Sequence, residues 1–293
     1  IYTVRNSSAA SDVYKRQHLP LKGEGRVRVA MSIYDAYIPK IADYVADLRS
    51  KSRQIREFRA PSDIGSLLEG LPVRVGPGAN QGIILRGDTF LEIGNPEAGS
   101  AAFLLWTDKP SLIHDGRITL IGPDIPESPD ASLPFGQVLM VAGRDLTEKD
   151  HQTLEHTQFI ADRIEGYMIR SVSQLIWSRI SRDAAAKGFR FETLGRSLMH
   201  IFKTDVPKIE AMEILFVTSG RDDIDPLVAI AAQVNKIFRS VLKDEWKAKG
   251  FDVYECASGY DCKSCPDQPV CDDIRDVIKV RKKKGDGPKP DHE

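Results

Sequence analysis

The stretch FETLGRSLMHIFKTDVPKIEAMEILFVT, residues 191–218, contains the two kinds of periodicity that indicate the fold. Apolar side chains recur at helical spacing through residues 191–202. Pro207 ends this helix because proline has no backbone N–H to donate within a helix. Residues 213–218 then predict a short strand of apolar and aromatic side chains. A helix followed at once by a strand is typical of a fold in which helices cover a sheet.

The same alternation continues downstream of this stretch. Asp225 and Pro226 predict the N-cap and first position of a helix that runs to Lys249, with Gly250 after it. Residues 251–255 predict another strand.

Upstream, a long helix-rich stretch is predicted to begin at a capping box formed by Thr147 and Asp150. Its apolar positions recur at intervals close to a helical turn: Leu154, Ile160, Ile164, Met168, Leu175 and Ile176. We therefore assign residues 147–255 to an α/β domain.

Residues 73–146 have a different character and predict a β-rich domain. Strand-like runs are separated there by glycine, aspartate and proline, at residues 82–85, 89–93, 101–107, 117–121 and 137–142. Residues 18–72 predict a helical N-terminal segment, with apolar positions at helical spacing between residues 34 and 58. The predicted fold class is α/β (α+β), with a β-rich part followed by a domain with long helices and a cysteine-rich loop.

The two ends of the sequence stand apart from these domains. Residues 1–17 end in SSAASDVYKRQ, which resembles a translated sequencing adapter, and we exclude them from fold reasoning. Residues 285–293 are rich in lysine, proline and other polar side chains, and we expect a natural, solvated and disordered tail.

Composition excludes several classes of protein. The 293 residues carry 41 basic and 42 acidic side chains, a formal net charge of −1, so no overall field attracts nucleic acid or an anionic membrane. No apolar run reaches the length of a membrane-spanning helix, and the chain does not open on a signal-peptide pattern. We expect a cytoplasmic protein with neither a nucleic-acid nor a membrane partner.

All four cysteines lie in one window, CASGYDCKSCPDQPVC, as Cys256, Cys262, Cys265 and Cys271. Crowded thiolates repel one another, so this C-x5-C-x2-C-x5-C pattern indicates a soft metal centre rather than disulfides or free thiols. Zinc ribbons commonly have two C-x2-C pairs and this window has one, which favours a [4Fe-4S] cluster and leaves zinc as the alternative. A C-terminal helix is predicted after the cysteines, within residues 256–284.

A second candidate site lies in IWSRISRDAAAKGF, residues 176–189. Trp177, Arg179 and Arg182 combine an aromatic face with two guanidinium groups, a set that can hold a phosphate-bearing ligand. The alternative is that Trp177 belongs to the apolar stripe of a long helix and packs in the core. We see no Ser-His-Asp or Cys-His arrangement in the sequence and predict no catalytic residue.

Four segments carry a family resemblance: residues 85–96 (LRGDTFLEIGNP), 116–125 (GRITLIGPDI), 176–189 and 198–218. Together they resemble the beta subunit of the acetyl-CoA decarbonylase/synthase complex, the CO-methylating acetyl-CoA synthase. The resemblance implies an enzyme that joins a methyl group from a corrinoid protein, CO and coenzyme A at a nickel site bridged to a [4Fe-4S] cluster. It also implies that Cys262, Cys265 and Cys271 are cluster ligands, and it makes coenzyme A the ligand to test at Trp177, Arg179 and Arg182.

The sequence also departs from the family pattern. The family holds its outer nickel with a Cys-Gly-Cys motif, which this sequence does not contain. Once four thiolates bind one cluster none remains, so nickel is not expected. We expect a short, divergent member without the nickel-site domain, in an accessory or electron-transfer role beside CO dehydrogenase, a corrinoid iron-sulfur protein or ferredoxin. Two alternatives stay open: a genuine synthase subunit completed by another chain, and a zinc-binding structural or regulatory module.

Overall fold

The computed structural model describes residues 34–80, 82–129, 131–147, 150, 153, 154, 157, 163–173 and 175–248, and only the backbone of 170–173, 175 and 235–248. The chain divides into two compact units, residues 22–241 and a unit of residues 1–21 with 242–293, and the described core lies in the first. Its helices are α1 (Ile38–Ser50), α2 (Arg182–Ala186), α3 (Phe191–Asp205) and α4 (Arg221–Ala248). Its strands are β1 (Ile55–Arg59), β2 (Thr89–Ile93), β3 (Ser100–Thr107), β4 (Arg117–Ile121), β5 (Ser132–Leu133), β6 (Phe135–Ala142), β7 (Tyr167–Ser173), β8 (Leu175–Ser181) and β9 (Ala211–Val217).

The larger sheet has five strands in the order β1-β4-β9-β6-β3. It is mixed, because β4 pairs parallel with β9 and β3 parallel with β6, whereas the β1–β4 and β6–β9 pairs are antiparallel. Strand β9, the last of the described strands in sequence, therefore lies between two strands from the first half of the chain. The boundary that we place at residue 147 does not separate two sheets.

Helices cover both faces of this sheet. On one face, α3 approaches closely at Gly195, where a Cβ atom would lie 2.8 Å from Ile118 Cδ1. On the other face, Leu227 and Ile224 of α4 lie over Gly136. Strands β3, β6 and β9 are consequently buried along their whole length, which explains why they lack the polar alternation of a half-exposed strand.

The smaller sheet has four strands in the order β5-β2-β8-β7 and is also mixed. Its inner face is apolar and buried, with Leu91, Ile93, Ile176 and Ile180 among the core residues. The opposite face is only partly covered. Ser100 at the start of β3 joins the two sheets, because its hydroxyl accepts from Ile176 N at 2.9 Å and donates to Ile176 O at 2.9 Å.

Most strands in the first half of the chain confirm the sequence prediction. The strands predicted at 89–93, 101–107, 117–121 and 137–142 match β2, β3, β4 and β6, and residues 213–218 match β9 with a shift of one or two residues. Residues 82–85, however, form no strand. The overall class is a mixed α and β fold with two mixed sheets, which agrees with the α+β prediction in its coarse form.

The helix predictions are confirmed in part. Helix α3 matches the prediction, and α4 begins at Arg221 rather than at Pro226, which lies inside it. The capping box at Thr147 is present, since Thr147 N donates to Asp150 Oδ2 at 2.7 Å and Asp150 N to Thr147 Oγ1 at 3.4 Å.

Two helix predictions are wrong. The N-terminal helix ends at Ser50, and the residues that follow turn at Ser52, whose φ is +58°, into strand β1. Most of residues 164–181 form the hairpin of β7 and β8 instead of the predicted helix. The strand at 251–255, the cysteine loop and helix at 256–284 and both chain ends lie outside the described residues. Within the described part, none of the helices is long and apolar enough to cross a membrane.

Candidate functional site

Trp177 and Arg179 lie on strand β8, not on a helix. They are two residues apart in a strand, so both side chains point to the same, partly exposed face of the smaller sheet. Arg182 follows at the first position of α2, where the Ser181 side chain caps the helix by accepting from Ala184 N at 3.1 Å. The three candidate residues are therefore spread along β8, with Trp177 near its start and Arg182 just after its end.

Arg179 is held firmly in place. Its register partner on β2 is Glu92, and its Nε donates to Glu92 Oε1 at 2.9 Å. Its Nη1 also donates to the carbonyl oxygen of Ile84 at 3.2 Å, and only 14% of its side chain is exposed. A guanidinium with these two partners orients the neighbouring groups and is poorly placed to bind an external anion.

Arg182 is exposed beside a loop that covers part of the same face. Its Nε donates to Gly87 O at 3.3 Å, within the short turn Arg86–Asp88. Residues 82–88 also present Ile83 and Leu85 to solvent, both exposed large apolar side chains. The end of β8 beside the 82–88 loop therefore combines apolar surface with an accessible guanidinium.

Sequence reasoning missed the residues that shape this surface, Glu92, Ile84 and Met168. Glu92 could have been found, because alternation along TFLEI places it on the face opposite to Leu91 and Ile93. Ile84 and Met168 gave no such signal. They meet only in three dimensions, where Ile84 N approaches Met168 Sδ at 3.3 Å.

Two contacts stabilise the structure around the β8 surface, one of a buried tyrosine and one of a glutamate ion pair. Tyr167 is buried beneath the sheet with its hydroxyl 3.0 Å from Ser178 Oγ, and burial raises the pKa of Tyr167 to about 12. Glu165 accepts from Arg74 N at 2.9 Å and Lys187 Nζ at 3.0 Å, and these contacts lower its pKa to about 2. Glu165 therefore links Arg74, in the segment before the 82–88 loop, to Lys187 at the end of α2.

An aromatic ring and an exposed guanidinium toward opposite ends of one strand can contact the planar and the phosphate-bearing parts of an extended ligand. In the part of the chain that the structure describes, no group of three or more His, Cys, Asp or Glu side chains could hold a metal ion. Cys256, Cys262, Cys265 and Cys271 lie outside that part, so the metal site they indicate stays a prediction.

Comparison with known proteins gives consistent matches. A family model described as the CO dehydrogenase/acetyl-CoA synthase complex beta subunit matches residues 71–222. The acetyl-CoA decarbonylase/synthase complex subunit beta of Methanopyrus kandleri is 29% identical over 201 residues, 68% of this chain and 41% of the relative. Subunit beta 2 of Methanosarcina thermophila is 30% identical over 215 residues, 72% of this chain and 42% of the relative.

A bacterial relative matches over a shorter range. The carbon monoxide dehydrogenase/acetyl-CoA synthase subunit alpha of Moorella thermoacetica is 36% identical over 143 residues, 47% of this chain and 19% of the relative. The chain thus spans about two fifths of the length of the beta subunits that it matches. It spans a smaller share of the Moorella thermoacetica alpha subunit. The matched segment contains both sheets except β1, and all of the surface around Trp177.

Proposed function

Because the chain belongs to the CO dehydrogenase/acetyl-CoA synthase complex beta subunit family, we propose that it is an iron-sulfur component of such a complex, in an accessory or electron-transfer role. The family resemblance seen in the sequence is confirmed by the match over residues 71–222. The observation that carries the proposal is the window of four cysteines at residues 256–271, which follows the matched domain in the sequence.

The donor set fits an iron-sulfur cluster in kind and number. Cys256, Cys262, Cys265 and Cys271 supply four thiolates, as a [4Fe-4S] cluster requires, and a bound cluster supplies one-electron transfer. The sequence contains no Cys-Gly-Cys motif, and four thiolates on one cluster leave none for nickel. This chain's own role is then to hold and shield the cluster next to its partners, for which CO dehydrogenase, a corrinoid iron-sulfur protein or ferredoxin are the candidates.

Anaerobic purification followed by metal and sulfide analysis tests this proposal. We expect about four iron and four sulfide per chain, broad visible absorption and no stoichiometric nickel. Replacing all four cysteines with serine should abolish the iron and the absorption. The matched control Ser264→Ala, inside the same window, should retain both. One zinc per chain without colour would favour the zinc module and contradict the proposal.

A second candidate is a synthase subunit completed by another chain. The family match over residues 71–222 supports this candidate. A partner that contributes a Cys-Gly-Cys nickel site should then restore acetyl-CoA synthesis when mixed with this chain under anaerobic conditions. Synthesis by this chain alone with bound nickel would overturn both candidates.

We also propose that the β8 surface binds coenzyme A. Arg182, just after β8, is the exposed cation for a phosphate, and Trp177, near the start of β8, offers a partly exposed ring for another part of the ligand. Arg179 acts as a positioning residue, because its guanidinium is already bonded to Glu92 and Ile84. In this arrangement affinity depends more on Arg182 than on the fixed charge of Arg179.

Calorimetric titration with coenzyme A tests the assignment. Arg182→Ala should weaken binding about tenfold, the loss of roughly one charge-assisted hydrogen bond. Arg59→Ala, an exposed arginine on β1, serves as the matched control and should bind like the wild type. Pantetheine, which lacks the nucleotide phosphates, should bind equally to the wild type and to Arg182→Ala. Equal coenzyme A affinity in both arginine variants would contradict the proposal.

A further inference from the structure

A concave site lies on the larger sheet, away from the β8 surface. It is a cavity of about 200 Å³ between helix α1 and the sheet face formed by β1, β4, β9 and β6. Part of its wall is apolar, and the rest is polar or charged; the apolar part includes Ile38, Ile41, Ala42, Val45, Met140 and Leu215. We call it the α1 cleft. Apolar concave sites with a few convergent polar groups are the usual form of small-molecule binding sites.

One end of the α1 cleft is polar and built around Glu213. Glu213 is buried, and its Oε1 accepts from Arg117 Nε at 2.8 Å and lies 2.7 Å from Arg117 Nη2. Its Oε2 accepts from the backbone N–H of His114 at 3.0 Å. Both carboxylate oxygens therefore have donors, and Glu213 has little capacity left for a cationic ligand.

Arg117 and His114 are the groups at this end that can donate to a ligand, and Thr119, which also lines the cavity, can donate or accept. Arg117 uses Nε and Nη2 on Glu213, and no described residue accepts from its Nη1. Its side chain is 30% exposed, and that of His114, which also lines the cavity, is 65% exposed. A ligand that completes this end must bring acceptor oxygens.

The charges around the α1 cleft cancel in pairs. Arg117 faces Glu213, and at the exposed rim Arg49 Nη2 lies 2.6 Å from Glu57 Oε1. Without a strong net field, affinity must come from directed hydrogen bonds together with burial of an apolar group along α1. A ligand that meets both conditions has hydrogen-bond acceptors at one end and a short hydrocarbon chain at the other.

The α1 cleft is not part of the surface assigned to coenzyme A, and part of it lies outside the family match. Helix α1 and β1 precede residue 71, where the match begins, whereas Arg117, Met140 and Glu213 lie within it. We propose that the α1 cleft binds a small aliphatic monocarboxylate, with its chain between α1 and the sheet and its carboxylate accepting from Arg117 Nη1 and His114. The proposal does not rest on the coenzyme A or cluster assignments.

Hexanoate is the probe for a test on the full chain. We expect it to shift the methyl resonance of Met140 in methionine-labelled protein, with a dissociation constant on the order of 1 mM. Affinity should rise about fourfold per methylene from butyrate to hexanoate, because each added CH₂ is buried. Hexylammonium, which has the same chain and no acceptor, should leave the Met140 resonance unchanged.

Two leucine substitutions on α1 distinguish ligand binding in the α1 cleft from a general effect of changing this helix. Ala42 is exposed but lines the cavity, so Ala42→Leu should narrow its opening and weaken hexanoate binding at least about tenfold. Asp43→Leu adds the same side chain to an exposed position of the same helix and should bind hexanoate like the wild type. Cooperative thermal unfolding shows that both variants are folded. If Ala42→Leu does not fold, Ala46→Leu takes its place.

Three results would overturn the proposal. The first is an unchanged Met140 resonance at hexanoate concentrations of tens of millimolar, well above the expected dissociation constant. The second is equally tight binding of hexylammonium, since this would remove the role of Arg117 and His114 as donors to an acceptor head. The third is equal hexanoate affinity in Ala42→Leu and Asp43→Leu, since this would place the ligand elsewhere.

Discussion

The two sheets of this protein are built from similar strands but have different surroundings. In the larger sheet, β3, β6 and β9 are buried on both faces, and helices cover them. In the smaller sheet, β2 and β8 bury one face and present Glu92, Trp177 and Arg179 on the other. The larger sheet therefore serves mainly to stabilise the fold. The smaller sheet leaves a partly open face, whereas the concave site of the larger sheet lies beneath helix α1.

The largest effect should come from a core aromatic of the larger sheet. Phe216 on β9 is fully buried, with ring centroids 5.9 Å from Phe135 and 5.2 Å from Phe191. Phe216→Ala should lower the free energy of unfolding by about 3–5 kcal/mol, because it removes a large side chain and leaves a cavity. Denaturant unfolding measures this loss. A cost below about 1 kcal/mol would show that this sheet is not the main source of stability.

The junction between the sheets should be the next most sensitive place. Gly94, just after β2, has φ +69°, and a Cβ there would collide with the carbonyl oxygen of Ile176. Gly94→Ala should cost about 2–3 kcal/mol from backbone strain and steric conflict. Gly188→Ala is the matched control, since its φ is +96° but nothing lies within 4 Å of the added Cβ. Equal losses in the two variants would mean that only backbone conformation matters.

A smaller effect is expected from the ion pair on the open face. Glu92→Gln should cost about 1–2 kcal/mol, because Arg179 would keep its partly buried charge without a carboxylate partner. Glu57→Gln breaks the more exposed pair with Arg49 and should cost about 0.5 kcal/mol or less. Thermal unfolding of both variants gives the comparison. If Glu57→Gln proves the more costly change, the ranking of the two pairs by burial is wrong.

The smallest effect concerns pH. The pKa of Glu165 is lowered to about 2 from a usual 4.5, chiefly by Arg74 N and Lys187, so the folded state favours its charged form. Its contribution is complete above the unfolded pKa, falls between about pH 4.5 and 2, and is lost below that. We expect it to be on the order of 1 kcal/mol after solvent screening. Glu165→Gln should flatten the acid side of the stability curve, and an unchanged pH dependence would contradict this.

The sequence predicted the buried strands and α3 well, because their apolar runs and their glycine and proline boundaries are local signals. It failed at β7 and β8, because the predicted helix rested on the apolar positions Ile160, Ile164 and Met168, which are spaced by four residues in the sequence. A spacing of four is close to one helical turn and is also a multiple of the strand period of two, so it does not separate the alternatives. The strand forms because β8 pairs with β2, a contact between residues that are distant in sequence.

The candidate site was predicted in its residue types but not in its arrangement. Trp177 and the two arginines were identified on a helix, whereas strand alternation is what places Trp177 and Arg179 on one face. The role of Arg179 follows from Glu92 and Ile84, which meet it only after folding. The α1 cleft was not predicted, because its polar end joins residues 114, 117 and 213 from separate parts of the chain.

The central position of β9 has a consequence for biosynthesis. Strands β4 and β6 each pair with β9, at residues 211–217, so neither has its full set of partners until that segment leaves the ribosome. During translation the nascent chain exposes two apolar strands with unsatisfied backbone groups, the condition in which chains self-associate. We therefore expect yield from expression to respond to chaperone supply and to slower synthesis at lower temperature.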